Sequence, residues 1–265
     1  MYYRAISCIR LTVAALLSLT VVMSSTVSAK ARVAELGDGG MVATRSSWAS
    51  QIGADILSQG GNAVDAAVAI GFGLAVTYPS AGNLGGGGFM VIRMADGTVI
   101  TNDHREKAPG KASKDMFLDE NSDVVKGLST RSHLAAGVPG SVAGLLDVLE
   151  KYGTMTRAEV MEPAIELAAK GIILDRDLAD SFARRGREFA KYPASAAVFA
   201  QETGSYQIGD LWRQPDLAAS LERIKERGKA GFYQGETADL LVAEMQRGGG
   251  LISHEDLQSY RSVWR

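Results

Sequence analysis

The chain has 265 residues, 46% of them hydrophobic, with 28 basic and 30 acidic side chains and a formal net charge of −2. That balance excludes a disordered chain and provides no basic excess to hold nucleic acid or an anionic membrane surface. A single cysteine, Cys8, leaves no pair for a disulfide and no thiolate set for a metal.

The first ten residues carry Arg4 and Arg10 and no acid. Residues 11–23 form an apolar run interrupted only by Thr and Ser, and Val27-Ser28-Ala29 places small residues at the spacing a signal peptidase reads. The expectation is a secretory signal peptide over residues 1–29, cleaved after Ala29, with a periplasmic or secreted product. The run is shorter than the ~20 residues needed to span a bilayer. Cleavage removes Cys8 and two positive charges, taking the net charge from −2 to −4. A cysteine-free product suits an oxidising compartment.

Met41-Val42-Ala43-Thr44 reads as a short strand. Ser46 or Ser47 can cap a helix with Ile52, Ile56 and Leu57 on one side, stopped by Gly60-Gly61. Asn62 caps a second helix over residues 63–78, closed by Pro79. It is apolar almost all round, the mark of a helix buried on every side, and Asp65 in its first turn suits the positive end of the dipole. A glycine corner, Gly82-Asn83-Leu84-Gly85-Gly86-Gly87-Gly88, enters Phe89-Met90-Val91-Ile92-Arg93, which reads as a buried strand. Ala95-Asp96-Gly97 turns it into a second strand over residues 98–102.

Beyond Gly110 the chain reads as helical. Pro139-Gly140-Ser141 opens a helix through Leu145, Leu146 and Leu149 that ends at Gly153. Thr156-Arg157-Ala158-Glu159 is a capping box, and Pro163 is expected to kink the helix that follows before Gly171. Helices are expected over residues 178–191, 215–227 and 236–247, with Ser253 capping a last turn to Tyr260.

Residues 85–88 lack the GxxxxGK[ST] of a phosphate loop, and they leave a helix for a strand, the reverse of a dinucleotide loop. Either the bare backbone allows close packing or it floors a substrate cleft. Asn102-Asp103-His104-Arg105-Glu106-Lys107 crowds charge at a strand end, a common place for chemistry. Arg105 has a planar fork able to grip a carboxylate, or it forms a structural ion pair with Glu106 or Asp103. His104, His133 and His254 have no zinc-ligand spacing and read as surface or capping residues. Ser141 is not in a G-x-S-x-G elbow, and a triad of Ser141, His133 and Asp147 would need a convergence in space.

Taken together, Gly60-Gly61-Asn62-Ala63-Val64-Asp65-Ala66-Ala67-Val68-Ala69, Asn83-Leu84-Gly85-Gly86-Gly87-Gly88-Phe89-Met90, Arg105-Glu106-Lys107-Ala108-Pro109, Gly137-Val138-Pro139-Gly140 and Gly231-Phe232-Tyr233-Gln234-Gly235 resemble, in order, segments of the γ-glutamyltransferase (glutathione hydrolase) family. The resemblance spans roughly residues 40–262. It implies an α+β fold, part of the αββα sandwich of an N-terminal nucleophile hydrolase, with a helix-rich second half. It further implies an exported precursor that cleaves itself into large and small subunits, a Thr nucleophile at the new N-terminus of the small subunit, and no metal or organic cofactor. Arg105 matches the family Arg that holds the α-carboxylate of the γ-glutamyl group.

No Thr here matches the family's cleavage site, and Ser262-Val263-Trp264-Arg265 drifts from its pattern. Residues 30–265 are therefore expected to be an incomplete γ-glutamyltransferase-like domain without a catalytic residue, either a truncated product or half of a split gene. The partners implied are γ-glutamyl small molecules such as glutathione and the C-terminal half. A related acylase, or a non-enzymatic exported remnant or binding protein, is the alternative.

N-terminal sequencing of the exported product tests the first of these expectations. Ala29–Lys30 cleavage gives Lys30 as first residue; retention of Met1 contradicts it.

Overall fold

The computed structural model describes residue 37, residues 39–201 and residues 204–265. The signal-peptide expectation for residues 1–29 lies outside them. Among the described residues no helix is long and apolar enough to cross a membrane.

Helix α1 (Ser47–Ser58) begins at Ser46, whose side chain accepts from the Ala49 amide. The expected strand at residues 41–44 does not form. Thr44 instead folds back on the cap: its hydroxyl donates to Ser46 O (2.6 Å) and accepts from Ser46 N (3.1 Å). This local side-chain-to-backbone pairing competes with extended structure. Helix α2 (Ala63–Thr77) has the expected apolar character, with Val64, Val68, Phe72, Ala75 and Val76 among its buried residues. α1 and α2 pack reciprocally, because a Cβ at Gly53 would meet Ile70 Cδ1 at 2.5 Å and one at Gly73 would meet Ile52 Cδ1 at 2.8 Å. Those close contacts account for glycine in helix interiors where it otherwise costs ~1 kcal/mol.

Strands β1 (Phe89–Arg93) and β2 (Val99–Asp103) pair antiparallel, Phe89 opposite Asp103 and Arg93 opposite Val99. The chain does not turn helical directly after Gly110, in contrast to the sequence reading. Residues 110–127 run as turns, with Asp119 Oδ1 accepting from the Asn121 and Asp123 amides and Leu118 bridging to Val124. The competition won here is that of aspartate side chains for nearby backbone donors. Only helix α3 (Leu128–Arg131) and a 3₁₀ turn (His133–Ala135) follow.

Helices α4 (Ser141–Tyr152) and α5 (Arg157–Lys170) form as read, α5 under the Thr156–Glu159 capping box and continuing through Pro163. A short ladder joins β3 (Ile172–Ile173) to β4 (Leu211–Trp212). It packs with α6 (Arg176–Phe189) and α7 (Pro193–Phe199) around Leu174, Phe182 and Trp212, the Phe182 and Trp212 rings meeting edge-on at 4.9 Å. Helix α6 starts at Arg176, two residues ahead of the sequence reading, with the Asp175 side chain as N-cap accepting from Leu178 N. Then come α8 (Pro215–Arg227), α9 (Ala230–Tyr233), α10 (Glu236–Gly248), α11 (His254–Ser259) and β5 (Val263–Trp264).

β5 pairs with β2 and makes the sheet order β1-β2-β5, antiparallel throughout. Met90, Ile92 and Trp264 turn one face of this sheet onto the main core, where α2 packs against α1, α4 and α5, and α5 against α8. The other face is bare: Phe89 is 63% exposed, Val91 71% and Val99 59%. β1 is therefore not the strand buried on both faces that its composition indicates. Among the described residues, helices cover one side of this sheet and nothing covers the other.

Asp65 does more than complement a helix dipole. It is fully buried and completes the Asn62 capping box, and it also accepts from Thr154 N (2.9 Å), Thr154 Oγ1 (2.7 Å) and Met155 N (3.1 Å), tying the α4–α5 turn to the start of α2. Burial alone pushes its carboxyl up, but the hydrogen bonds from Thr154, Asn62 and Met155 outweigh it and the group titrates below its ordinary value. A depressed folded pKa means stability that is present above the unfolded pKa of ~3.9 and lost as pH falls through the folded one. Asp65→Ala strands three amides and is expected to lower unfolding stability by about 3 kcal/mol near neutral pH. Urea unfolding in dilute solution reads this, and the gap between the two proteins should narrow as pH falls below about 4. An equal gap at all pH values would contradict the assignment.

Candidate functional site

The segment after β2 holds Arg105, and its backbone is enclosed on two sides. Gly88 N donates to His104 O (3.2 Å), and His104 N donates to Gly88 O (3.0 Å). A Cβ at Gly87 would lie 2.5 Å from His104 O. One at Gly140 would lie 2.0 Å from the same oxygen, and one at Gly144 only 2.1 Å from His104 Cγ. Gly140 N and Ser141 N both donate to Gly86 O (2.7 and 3.0 Å), closing the glycine corner onto the start of α4. Of the two roles left open for this corner, close packing is the one the contacts show.

His104 is buried, contrary to the surface role expected of it. Burial lowers its pKa, against the opposing pull of Asp103, Glu106 and Asp147. As a neutral ring it donates from Nδ1 to Asn102 Oδ1 (2.9 Å). Asn102 Nδ2 donates to Ser262 Oγ (2.9 Å), and Ser262 donates to Asp147 Oδ2 (2.6 Å). Lys229 pairs with the other oxygen of Asp147. Among the described residues no fully buried side-chain polar atom is left without a partner, as buried polar networks require. This run also removes the hydrolase triad: Asp147 is bound to Ser262 and Lys229, while His133 pairs with Glu244 at 2.8 Å. His254 opens α11 and meets Asp239, also at 2.8 Å.

Arg105 points the other way. Its amide donates to Asp103 Oδ1 (3.2 Å) and its carbonyl accepts from the Tyr260 hydroxyl (2.8 Å). Asp103 is held by Arg265 at 2.9 Å, and the Arg265 bond foremost keeps its carboxyl below the usual range. The Arg105 side chain is 68% exposed, with Nε 3.1 Å from Glu106 Oε2. The competing reading, an ion pair with Glu106, is thus partly realised. Both terminal nitrogens nevertheless make no hydrogen bond among the described residues, and an exposed pair of this kind contributes little to stability. The Arg105 carbon Cζ lies 6.0 Å from the centre of the exposed Phe89 ring, so the cation stands at the rim of the bare sheet face. A cleft of about 480 Å³ lies elsewhere, between α1 and α6, and includes neither Arg105 nor its supports.

Residues 49–265 match the gamma-glutamyltranspeptidase family. The chain belongs to that family. It is 48% identical over 226 residues to the glutathione hydrolase proenzyme of Pseudomonas sp. (strain A14), covering 85% of this chain and 39% of that protein. It is 49% identical over 227 residues to the glutathione hydrolase proenzyme of Escherichia coli (strain K12), again 85% of this chain and 39% of the other. The crystal structure of Helicobacter pylori gamma-glutamyltranspeptidase superposes with a TM-score of 0.86 at 46% identity, over 88% of this chain and 67% of that one. The chain therefore spans well under half the length of the curated relatives it matches. The mixed helix-and-sheet fold is thus part of the N-terminal nucleophile hydrolase fold of the gamma-glutamyltranspeptidases.

Sequence reading singled out Arg105 and the glycine corner but gave no sign of the contacts that Tyr260, Asn102 and Ser262 make around them. Tyr260 lies 155 positions from Arg105 in sequence, and no local spacing signals that distance.

Glycine substitutions test the enclosure. Gly144→Ala drives a methyl into the His104 ring and is expected to cost about 1–3 kcal/mol. Gly186→Ala, inside α6 with nothing within 4 Å of the new carbon, is expected to stabilise by roughly 0.5–1 kcal/mol. Denaturant midpoints of the two variants should move in opposite directions; a shared direction would contradict the packing described.

Proposed function

We propose that this chain is the front part of an exported enzyme that transfers γ-glutamyl groups from glutathione and related compounds to water or amino acids. Arg105 carries this reading. Its backbone is fixed from both sides, its guanidinium stands in solvent with two terminal nitrogens available, and it matches the family position that grips the substrate α-carboxylate. A bidentate pair would anchor the substrate by the end that does not react and present the γ-carbonyl to the nucleophile.

That nucleophile is, by family pattern, the N-terminal Thr of a small subunit encoded beyond residue 265. Its hydroxyl attacks the γ-carbonyl, its own amine takes the proton, and the amine product leaves. Water or an amino acid then releases the γ-glutamyl group. The bare face of Phe89, Val91 and Val99 supports the C-terminal half as the partner. An uncovered apolar sheet face wants a second layer, the fold is a sandwich, and the matched relatives are proenzymes more than twice as long. Export fits the basic start and small-residue site of residues 1–29, and residues 30–265 then form the large-subunit part of one γ-glutamyltransferase-like domain.

Two expression experiments test this. Residues 30–265 alone should aggregate or self-associate and release no anilide from a γ-glutamyl anilide. Fused to the C-terminal portion of the Escherichia coli relative, they should be soluble and active. In that fusion Arg105→Ala should weaken substrate binding by ~2–5 kcal/mol, mainly in KM, with poor recovery in Arg105→Lys. Unchanged KM and kcat in Arg105→Ala, or anilide hydrolysis by residues 30–265 alone, would overturn the proposal.

A further inference from the structure

We infer that Tyr260 is a positioning residue for the α-carboxylate site, its hydroxyl holding the Arg105 peptide in the orientation that points the guanidinium at substrate. This rests on the carboxylate-binding reading of Arg105. The Arg105 backbone has two polar anchors. One is local, the amide to Asp103 Oδ1 at 3.2 Å, and allows the following peptide to rotate. The other is Tyr260 Oη on the Arg105 carbonyl at 2.8 Å, and it is the one that fixes that peptide against the body of the protein.

The phenol is itself held rigidly. Its ring lies parallel to Tyr233, with an angle of 2° between planes and 5.9 Å between centroids. Tyr233 in turn donates to Pro139 O (2.9 Å) and accepts from Ala143 N (3.2 Å), which fixes it to the start of α4. Lys107 Nζ sits 4.9 Å from the Tyr260 ring centre and donates to Arg261 O (2.8 Å), clamping the other side. Burial, with Asp103, Glu106 and Asp147 nearby, pushes the Tyr260 hydroxyl up to about 12, so it remains a donor throughout the range in which an enzyme works. A Cβ at Gly140 would lie 2.2 Å from Tyr260 Oη, so the glycine that admits the His104 carbonyl also admits the phenol.

Tyr260→Phe keeps the ring, the stack and the Lys107 contact and removes one hydroxyl. The readout is the Kd for L-glutamate, measured calorimetrically on the chain fused to the C-terminal portion of the Escherichia coli relative, together with KM and kcat. Losing one such hydrogen bond corresponds to a rise of roughly 3–10-fold in Kd and KM with kcat within about twofold. Introduced into Arg105→Ala, the same change should add nothing, because Tyr260 acts only through Arg105. Thr154→Val, which removes a comparable hydrogen bond to Asp65 far from the site, should lower the melting temperature and leave Kd unchanged. An unchanged Kd in Tyr260→Phe, or an equal rise in the Arg105→Ala background, overturns the inference while leaving Arg105 as the carboxylate ligand. An unchanged Kd in Arg105→Ala itself overturns the function reading and this inference with it.

Discussion

The strand end at His104 and Arg105 threads a gap that only glycine can line. The glycine corner before β1 closes on one side of it and the opening of α4 on the other, at distances where any Cβ would overlap the His104 carbonyl or ring. Everything notable about the site follows from that approach. His104 is forced inward, where burial keeps it neutral, and its ring proton needs an acceptor. Asn102 supplies one and passes the demand through Ser262 to Asp147 and Lys229. With odd and even positions of an extended segment facing opposite ways, burying His104 sends Arg105 outward.

A guanidinium in solvent is ordinarily a weak site, because water screens it and its own side chain is mobile. Two features here work against that. Its backbone is anchored at the amide and at the carbonyl, and it borders an apolar face that a second sheet would cover. Covering that face would lower the local dielectric around the guanidinium and strengthen any carboxylate pair it forms. In the proposed enzyme the half-sandwich thus contributes a positioned charge, and the other half contributes both the nucleophile and the dry environment. The same face explains why a chain with a well-packed helical core is expected to associate when left alone.

Much of this was legible residue by residue. Caps marked the helices at Asn62, Thr156 and Ser253, and Pro215 and Gly228 bounded α8 on the sequence reading. The five family segments pointed to the family and the fold. What escaped depended on distance along the chain. β5 is two residues long and pairs on the edge of β2, too short a run for its Val and Trp to stand out as a strand. Tyr260 is an aromatic at the end of a short helix, indistinguishable from a packing residue until Arg105 is placed beside it. Two readings failed for local reasons. Thr44 turned its side chain onto nearby backbone in place of an expected strand, and Asp119 did the same in a stretch read only as helical in general. β1 looked buried because its apolar residues alternate onto a bare face as well as the core face.

The most direct measurement is a crystal structure, with L-glutamate bound, of this chain fused to the C-terminal portion of the Escherichia coli relative. The account predicts both Arg105 terminal nitrogens within hydrogen-bond distance of the α-carboxylate, the Tyr260 hydroxyl still on the Arg105 carbonyl, and the Phe89, Val91 and Val99 face covered by a second sheet. A glutamate whose α-carboxylate is held elsewhere, with Arg105 still facing only Glu106 and solvent, would contradict it.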